Sequence, residues 1–301
     1  MHFLDPTNDY AFKKIFGNEQ RKDILISFLN SILQLSDDEQ IVNVTLLNPF
    51  QAPHIQGAKE TILDVRCQDQ KGHYYIVEMQ VIPEAFFDKR VLYYASKAYA
   101  SQLNQAETYK KLKPVIFLGI LNFTFSQDTR AISTHVLHNV RTQDNLIKDI
   151  RFTFAELPKF DKQENALKTI EDKWLYFLKY AKTLKAIPSV IQEAAIREAF
   201  EVLDRENWDE DTLALYEYRA IEKQKAANQV RHSYDKGKKQ GEQIGLEKGE
   251  QIGLEKGREK GREEEKLALA KKLLMAEHPP ASVAELTDLS LETVHSLLPK
   301  Q

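Results

Sequence analysis

The sequence has little cysteine, no long apolar run, and little glycine outside one segment. Its 301 residues include a single cysteine, Cys67, so the chain alone forms no disulfide and no four-cysteine zinc site. No stretch reaches the roughly 18 consecutive apolar residues that a membrane-spanning helix needs. The N-terminus lacks the basic start and apolar run of a secretory signal. These absences predict a cytoplasmic protein without a membrane partner.

Positive charge is not in excess either. Lys and Arg number 42 and Asp and Glu 45, a net charge of −3, so the chain is not a polycation that binds nucleic acid over its whole surface. Any contact with DNA must therefore be local. Hydrophobic residues at 42% and charged residues at 29% exclude a wholly disordered chain and favour a globular one.

Glycine divides the chain. Seven of the 11 glycines recur at every fourth position from Gly237 to Gly261, and the sequence GEQIGLEK at 241–248 repeats exactly at 249–256. We therefore predict one large domain at 1–230, a charged repeat segment at 231–266, and a small helix-turn-helix-like tail at 267–301. Spacing of four predicts a glycine stripe along one helix face. Two interpretations remain for the repeat: a helix that packs against a partner, forming a homo-oligomer through 231–301, or a flexible linker.

The periodicity of apolar residues changes several times within residues 1–230. Helical spacing covers 8–35 with a division near Gly17, as well as 84–103 and most of 174–218, whereas strand-like segments cover 41–47, 61–67, 73–82, 114–125, 133–140 and 150–154. The uninterrupted apolar stretch at 114–125 is typical of a strand buried on both faces. The order predicts an α/β fold, a mixed sheet flanked by helices, with a helical C-terminal extension.

Acidic residues occupy two neighbouring predicted strands. Asp64 lies in the second strand, and Glu78 and Gln80 lie in the third, where alternation directs both side chains to one face. If these strands pair as a hairpin, Asp64 comes beside Glu78 and the two carboxylates can bind Mg²⁺, or alternatively Mn²⁺. Such a metal site suits phosphodiester hydrolysis. The pattern therefore predicts a metal-dependent nuclease.

These residues, with their surroundings, resemble a known family. Asp64, Glu78-x-Gln80 and the helix at 89–99, together with segments 8–17, 63–66 and 156–160, resemble the PD-(D/E)XK nuclease superfamily. The closer likeness is to its recombination-promoting nuclease and putative transposase branch, over roughly residues 1–220. The resemblance implies a restriction-endonuclease-like core and a Mg²⁺-dependent DNA endonuclease associated with recombination or mobile elements. It also implies Asp64, Glu78 and Gln80 as catalytic residues.

The sequence departs from the superfamily pattern at one position that matters for charge. Gln80 stands where the superfamily usually has lysine, and an amide carries no positive charge. Lys59 and Lys97 are candidates for a displaced lysine. Asp9 and Lys13 could project into the site from the first helix, although Asp9 capping that helix is the favoured interpretation.

A local basic region is the candidate DNA surface. Residues 84–113 contain six basic and three acidic residues, and Lys89, Arg90 and Lys97 are the predicted DNA-binding side chains. Two other functions remain: a catalytically weakened nuclease-fold protein that binds DNA or assembles, and a transposase that performs strand transfer.

Overall fold

The computed structural model describes residues 2–51 and 61–298. By contact density the chain divides into two compact units, Met1–Lys225 and Ala226–Gln301. The first unit holds the β-sheet and the predicted site, and the second is helical.

Among the described residues of the first unit, two α-helices are followed by five strands, one α-helix, three strands and then three α-helices. Its helices are α1 (Asp9–Phe16), α2 (Lys22–Ile32), α3 (Phe87–Ala100), α4 (Ile170–Tyr180), α5 (Ala194–Leu203) and the beginning of α6 (Glu210–Met275). Its strands are β1 (Val44–Leu46), β2 (Phe50–Gln51), β3 (Thr61–Ile62), β4 (Val65–Asp69), β5 (Tyr74–Gln80), β6 (Val115–Leu121), β7 (Ile132–His135) and β8 (Ile150–Glu156).

Six of these strands form one mixed sheet in the order β1-β4-β5-β6-β8-β7. β1, β4 and β5 pair antiparallel, β5, β6 and β8 pair parallel, and β7 returns antiparallel to β8. The three parallel strands therefore end at one edge, where Gln80 pairs with Leu121 and Leu121 pairs with Glu156. The sheet and its flanking helices confirm the predicted α/β, restriction-endonuclease-like fold.

Helices cover both faces of the sheet. Val77 and Met79 of β5 face the larger core, which contains residues of α1, α2, α4 and α5. Ile76 faces the other core, where Phe87 and Val91 of α3 pack. All seven residues of β6 are buried, as its apolar run predicts. The carboxyl edge of a rigid, two-sided sheet thus carries the site residues.

Two local predictions are wrong in detail. The predicted strand 61–67 is two strands, β3 and β4, interrupted at Leu63 and Asp64, because Leu63 N–H donates to Pro49 O at 3.1 Å and leaves the main ladder. The N-cap of α1 is Asn8 rather than Asp9, since the Asn8 carboxamide oxygen accepts from Tyr10 N–H at 2.9 Å. Asp9 is instead the first residue of the helix.

The second unit contains the rest of α6 and two short helices, α7 (Pro280–Thr287) and α8 (Leu291–Ser296). Ala270, Val283 and Val294 form its small buried core, and the Ser290 hydroxyl caps α8 by accepting from Thr293 N–H at 3.1 Å. Within the described ranges, no helix combines the length and apolarity that a bilayer crossing requires.

The repeat segment 231–266 lies within α6, and residues 231–265 are exposed. The expectation of a stripe along one helix face is wrong. At about 100° per residue, a spacing of four advances about 40° beyond a full turn, so the six intervals from Gly237 to Gly261 accumulate about 240°. The glycines therefore wind around most of the helix.

Candidate active site

The β4–β5 hairpin brings Asp64 and Glu78 together. Val65 pairs with Val77, so Asp64, one residue before β4, stands opposite Glu78. Asp64 N–H donates to Glu78 Oε1 at 3.1 Å, and Met79 N–H donates to Asp64 Oδ2 at 2.9 Å. Each carboxylate is thus oriented by the backbone beside the other. The break in the strand at Asp64 frees that N–H from the ladder for this purpose.

The pair consists of a buried carboxyl group, Glu78, and a partly buried one, Asp64. Glu78 is 8% exposed. Burial, and then the nearby Asp64 carboxylate, raise the pKa of Glu78 to about 8, against opposing effects of Arg90 and Lys13. A carboxyl group that resists ionisation in this way is one that an added cation stabilises strongly in its charged form.

Lys13 contacts one member of the pair, Asp64. Its Nζ lies 3.2 Å from Asp64 Oδ1, with the lysine side chain 40% exposed and the aspartate side chain 14% exposed. The helical spacing of α1, which buries Phe12 and Ile15, turns Lys13 toward the end of the sheet. Lys13 and Asp64 also line a cavity of about 200 Å³. A larger cavity of about 570 Å³ lies beside α2 and α4 and contains none of the predicted catalytic residues.

Gln80 is held by neighbours on three sides. Its Nε2 donates to Ile82 O and to Glu84 Oε1, both at 2.9 Å, and its Oε1 accepts from Arg90 NH2 at 2.6 Å. The amide oxygen therefore faces a guanidinium rather than the two carboxylates. In this arrangement Gln80 orients Arg90, and a positive charge stands next to the position that the glutamine occupies.

The remaining predicted residues are distributed around this centre. Asp9 lies one helical turn before Lys13 and acts electrostatically on Lys223 of α6. Lys89 and Lys97 lie on α3, with Lys89 exposed and its Nζ 5.1 Å from the centre of the Phe86 ring. Lys59 lies outside the described residues.

Lys223 is a residue that the sequence did not reveal. Its ammonium group donates to Thr7 O at 2.8 Å, and burial lowers the pKa of Lys223 while Asp9, Asp5 and Asp64 act in the opposite sense. Nothing local marks this lysine, because it precedes the glycine repeat in a helix of mixed charge. Glu84 was also missed as a partner of Arg90, although both lie near the entry to α3.

The residues fit a divalent cation of the hard, oxygen-binding type. Across 2–51 and 61–298, no cluster of three or more His, Cys, Asp or Glu side chains is arranged to hold a metal. Asp64 and Glu78 nevertheless supply two carboxylates, and Mg²⁺ commonly takes one or two carboxylates while water and substrate phosphate fill its other positions. The donor set therefore suits Mg²⁺ or Mn²⁺ acting together with a phosphate-containing substrate.

The geometry agrees with one of three comparisons with known proteins, the match to a family. Comparison with curated proteins and with solved structures gives no match. The family described as "PD-(D/E)XK nuclease family transposase" matches residues 6–233, about three quarters of the chain. That range includes the sheet, α1, α3 and the Asp64–Glu78 pair. The chain belongs to this family of PD-(D/E)XK nuclease transposases.

Proposed function

We propose that this protein is a divalent-metal-dependent DNA endonuclease whose metal ligands are Asp64 and Glu78. The observation that carries the proposal is the pair of carboxyl groups at the sheet edge, joined by hydrogen bonds from Asp64 N–H to Glu78 and from Met79 N–H to Asp64. The family match supports a nuclease or transposase-related activity. The acidic pair supplies the feature that a phosphodiester-cleaving site needs.

The chain's own residues account for the positioning. A divalent ion held by these carboxylates supplies positive charge that stabilises the anionic transition state of phosphodiester cleavage. Met79 N–H and Lys13 Nζ fix the two oxygens of Asp64, and Asp64 N–H fixes one oxygen of Glu78. Near neutral pH without a cation, the raised pKa of Glu78 keeps a proton on its carboxyl group. A divalent cation at this site would favour the deprotonated form of Glu78.

The DNA backbone lies along α3 in this proposal. Lys89, Arg90 and Lys97 are placed on this helix, which directly follows the site strand β5. Lysine and arginine side chains neutralise phosphates without reading the sequence. The surface therefore positions DNA over the acidic pair.

The test is cleavage of supercoiled plasmid by the purified full chain in Mg²⁺ or Mn²⁺. We expect nicking that stops in EDTA and falls by at least about 100-fold in Asp64→Asn and in Glu78→Gln, since each removes a charged metal ligand. Glu164→Gln is the matched control, because Glu164 is an exposed acid outside the site. Cleavage that survives both site substitutions would overturn the proposal.

Strand transfer by the same residues is the second candidate, and the family description favours it. It uses a DNA 3′-hydroxyl instead of water as the nucleophile at the same acidic pair. Incubating the protein with labelled donor DNA and plasmid separates the two functions. Joined products support strand transfer, whereas nicked plasmid alone supports hydrolysis. DNA retention without either product would identify a catalytically weakened binding protein.

A further inference from the structure

Arg90 is fixed on four sides at the edge of the candidate active site. Its NH2 donates to Gln80 Oε1 at 2.6 Å, and its NH1 forms an ion pair with Glu84. The guanidinium carbon lies 5.2 Å from the centre of the Phe87 ring and 5.8 Å from that of Tyr94. The side chain is 23% exposed. A guanidinium held in this way presents its donors in one orientation.

Gln80 holds Arg90 and the counter-ion of Arg90 together. Both ends of its amide are engaged, with the oxygen on Arg90 and the nitrogen on Ile82 O and Glu84 Oε1. Glutamine therefore acts as a neutral bridge between Arg90 and its counter-ion. A lysine at the same position would repel Arg90.

Glu84 is the replaceable partner. Its side chain is 50% exposed, whereas Gln80 is partly buried and the Phe87 ring is buried. In the described ranges, Arg90 Nε is buried and has no hydrogen-bond partner. An anion arriving from solvent can take the place of the Glu84 carboxylate on Arg90 and on Gln80 Nε2, while the Gln80 oxygen and the two rings keep their contacts with Arg90. A phosphate fits because its oxygens can accept two parallel bonds from one guanidinium.

Arg90 also lies close to the acidic pair, because its partner Gln80 follows Glu78 by two residues on the same face of β5. A phosphate on Arg90 would thus lie beside the two proposed metal ligands. We propose that Arg90 binds a DNA phosphate at the active site, that Gln80 positions it, and that Glu84 occupies it as a counter-ion until DNA replaces the carboxylate. This inference rests on the proposed function, since it takes DNA as the substrate.

The experiment measures binding of a short fluorescent DNA duplex to the full chain by anisotropy, in EDTA and then in Ca²⁺. Arg90→Gln is expected to weaken binding about 5-fold and to reduce the slope of log affinity against log salt by about one. Arg90→Lys, which keeps the charge but loses the planar fork, is expected to keep the slope and lose about 3-fold in affinity.

The direction in which Glu84→Gln changes DNA affinity decides whether the proposal holds. It is expected to tighten binding about 3-fold, because the phosphate no longer competes with a carboxylate. Glu107→Gln is the matched control: Glu107 is an acid of the same region, paired with Lys111, and its removal changes the net charge equally. The control is expected to change affinity by less than about 1.5-fold.

The double variant Glu84→Gln with Arg90→Gln tests whether the gain depends on Arg90. Loss of the gain in the Arg90→Gln background supports the proposal. A gain that persists, a gain of equal size in Glu107→Gln, or weaker binding by Glu84→Gln overturns it. A wild-type chain that binds no DNA in either buffer overturns it as well.

These DNA-binding measurements are separate from the cleavage test of the proposed function. Failure of metal-dependent cleavage, together with the expected signs for Arg90 and Glu84, would remove the endonuclease and leave the phosphate site. Cleavage that depends on Asp64, together with unchanged binding in the Arg90 variants, would keep the endonuclease and remove the phosphate site.

Discussion

Glu78→Gln is expected to stabilise the metal-free protein while it abolishes metal-dependent activity. The folded chain raises the pKa of Glu78 from an ordinary 4.5 to about 8, through burial and then the nearby Asp64 carboxylate. Between these values the folded state binds more protons than the unfolded state. The free energy of unfolding therefore falls as pH rises. The contribution of Glu78 is complete below pH 4.5 and lost as pH rises through about 8.

The size of the effect follows from the same shift. Each pH unit in this window removes about 1.4 kcal/mol, so the loss between pH 4.5 and neutrality is on the order of 3 kcal/mol. Glutamine at position 78 keeps an oxygen for Asp64 N–H and adds an N–H₂ group beside the Asp64 carboxylate. The free energy of unfolding of the variant should therefore exceed that of the wild type by about 3 kcal/mol at neutral pH, and the difference should shrink toward acid pH.

The assay is urea unfolding of the full chain in EDTA, followed by tryptophan fluorescence at about pH 5, 6, 7 and 8. Trp174 and Trp208 are both buried in the first unit, so the signal reports on the unit that contains Glu78. Mg²⁺ should stabilise the wild type and leave Glu78→Gln unchanged. Glu164→Gln serves as the control. Parallel pH curves for wild type and Glu78→Gln would refute the electrostatic reasoning.

Three further variants test other parts of the chain. Phe86→Gly should raise the free energy of unfolding by about 1 kcal/mol, because Phe86 is 71% exposed and its left-handed φ of 62° strains a residue with a side chain but not glycine. A lower melting temperature for the variant in thermal unfolding would contradict this. Glu156→Gln should cost about 3 kcal/mol, since the buried carboxylate accepts from Lys159 at 2.7 Å. Burial raises the pKa of Glu156, but hydrogen bonds from Lys159, Ser126 and Phe125 N–H outweigh it and lower that pKa. The wild type should therefore have the higher free energy of unfolding above pH 4.5 and lose this difference on acidification. A difference that does not depend on pH would contradict this reasoning. Gly249→Ala with Gly253→Ala should strengthen α6 by about 1 kcal/mol each, because an added Cβ contacts nothing within 4 Å; loss of an oligomer in sedimentation would instead assign the glycines to packing of two copies.

The parts of the site that sequence could predict are those set by local pattern. Alternation along β5 and a short loop to β4 placed Asp64 opposite Glu78, because a hairpin's register follows from its turn and its buried face. The Gln80–Arg90–Glu84 arrangement needs the orientation of α3 relative to β5. That orientation depends on the left-handed Phe86 and on the packing of Phe87, which no short pattern encodes. The break at Asp64 depends on the distant Pro49 carbonyl.

Gln80 is the residue at which the candidate functions separate. A protein that only retained DNA could do so with mobile surface lysines, because counterion release requires charge and no fixed geometry. Arg90 is instead held by an amide, a carboxylate and two aromatic rings, beside a carboxylate pair that is costly to ionise without a cation. Fixing a flexible side chain costs conformational entropy. It favours function only where the group bound by that side chain must be held at a fixed position relative to a second bound group. A phosphate on Arg90 and a cation on Asp64 and Glu78 would be in that relation in the proposed phosphodiester cleavage. The arrangement therefore favours an active nuclease in which positive charge comes from arginine rather than from the usual lysine.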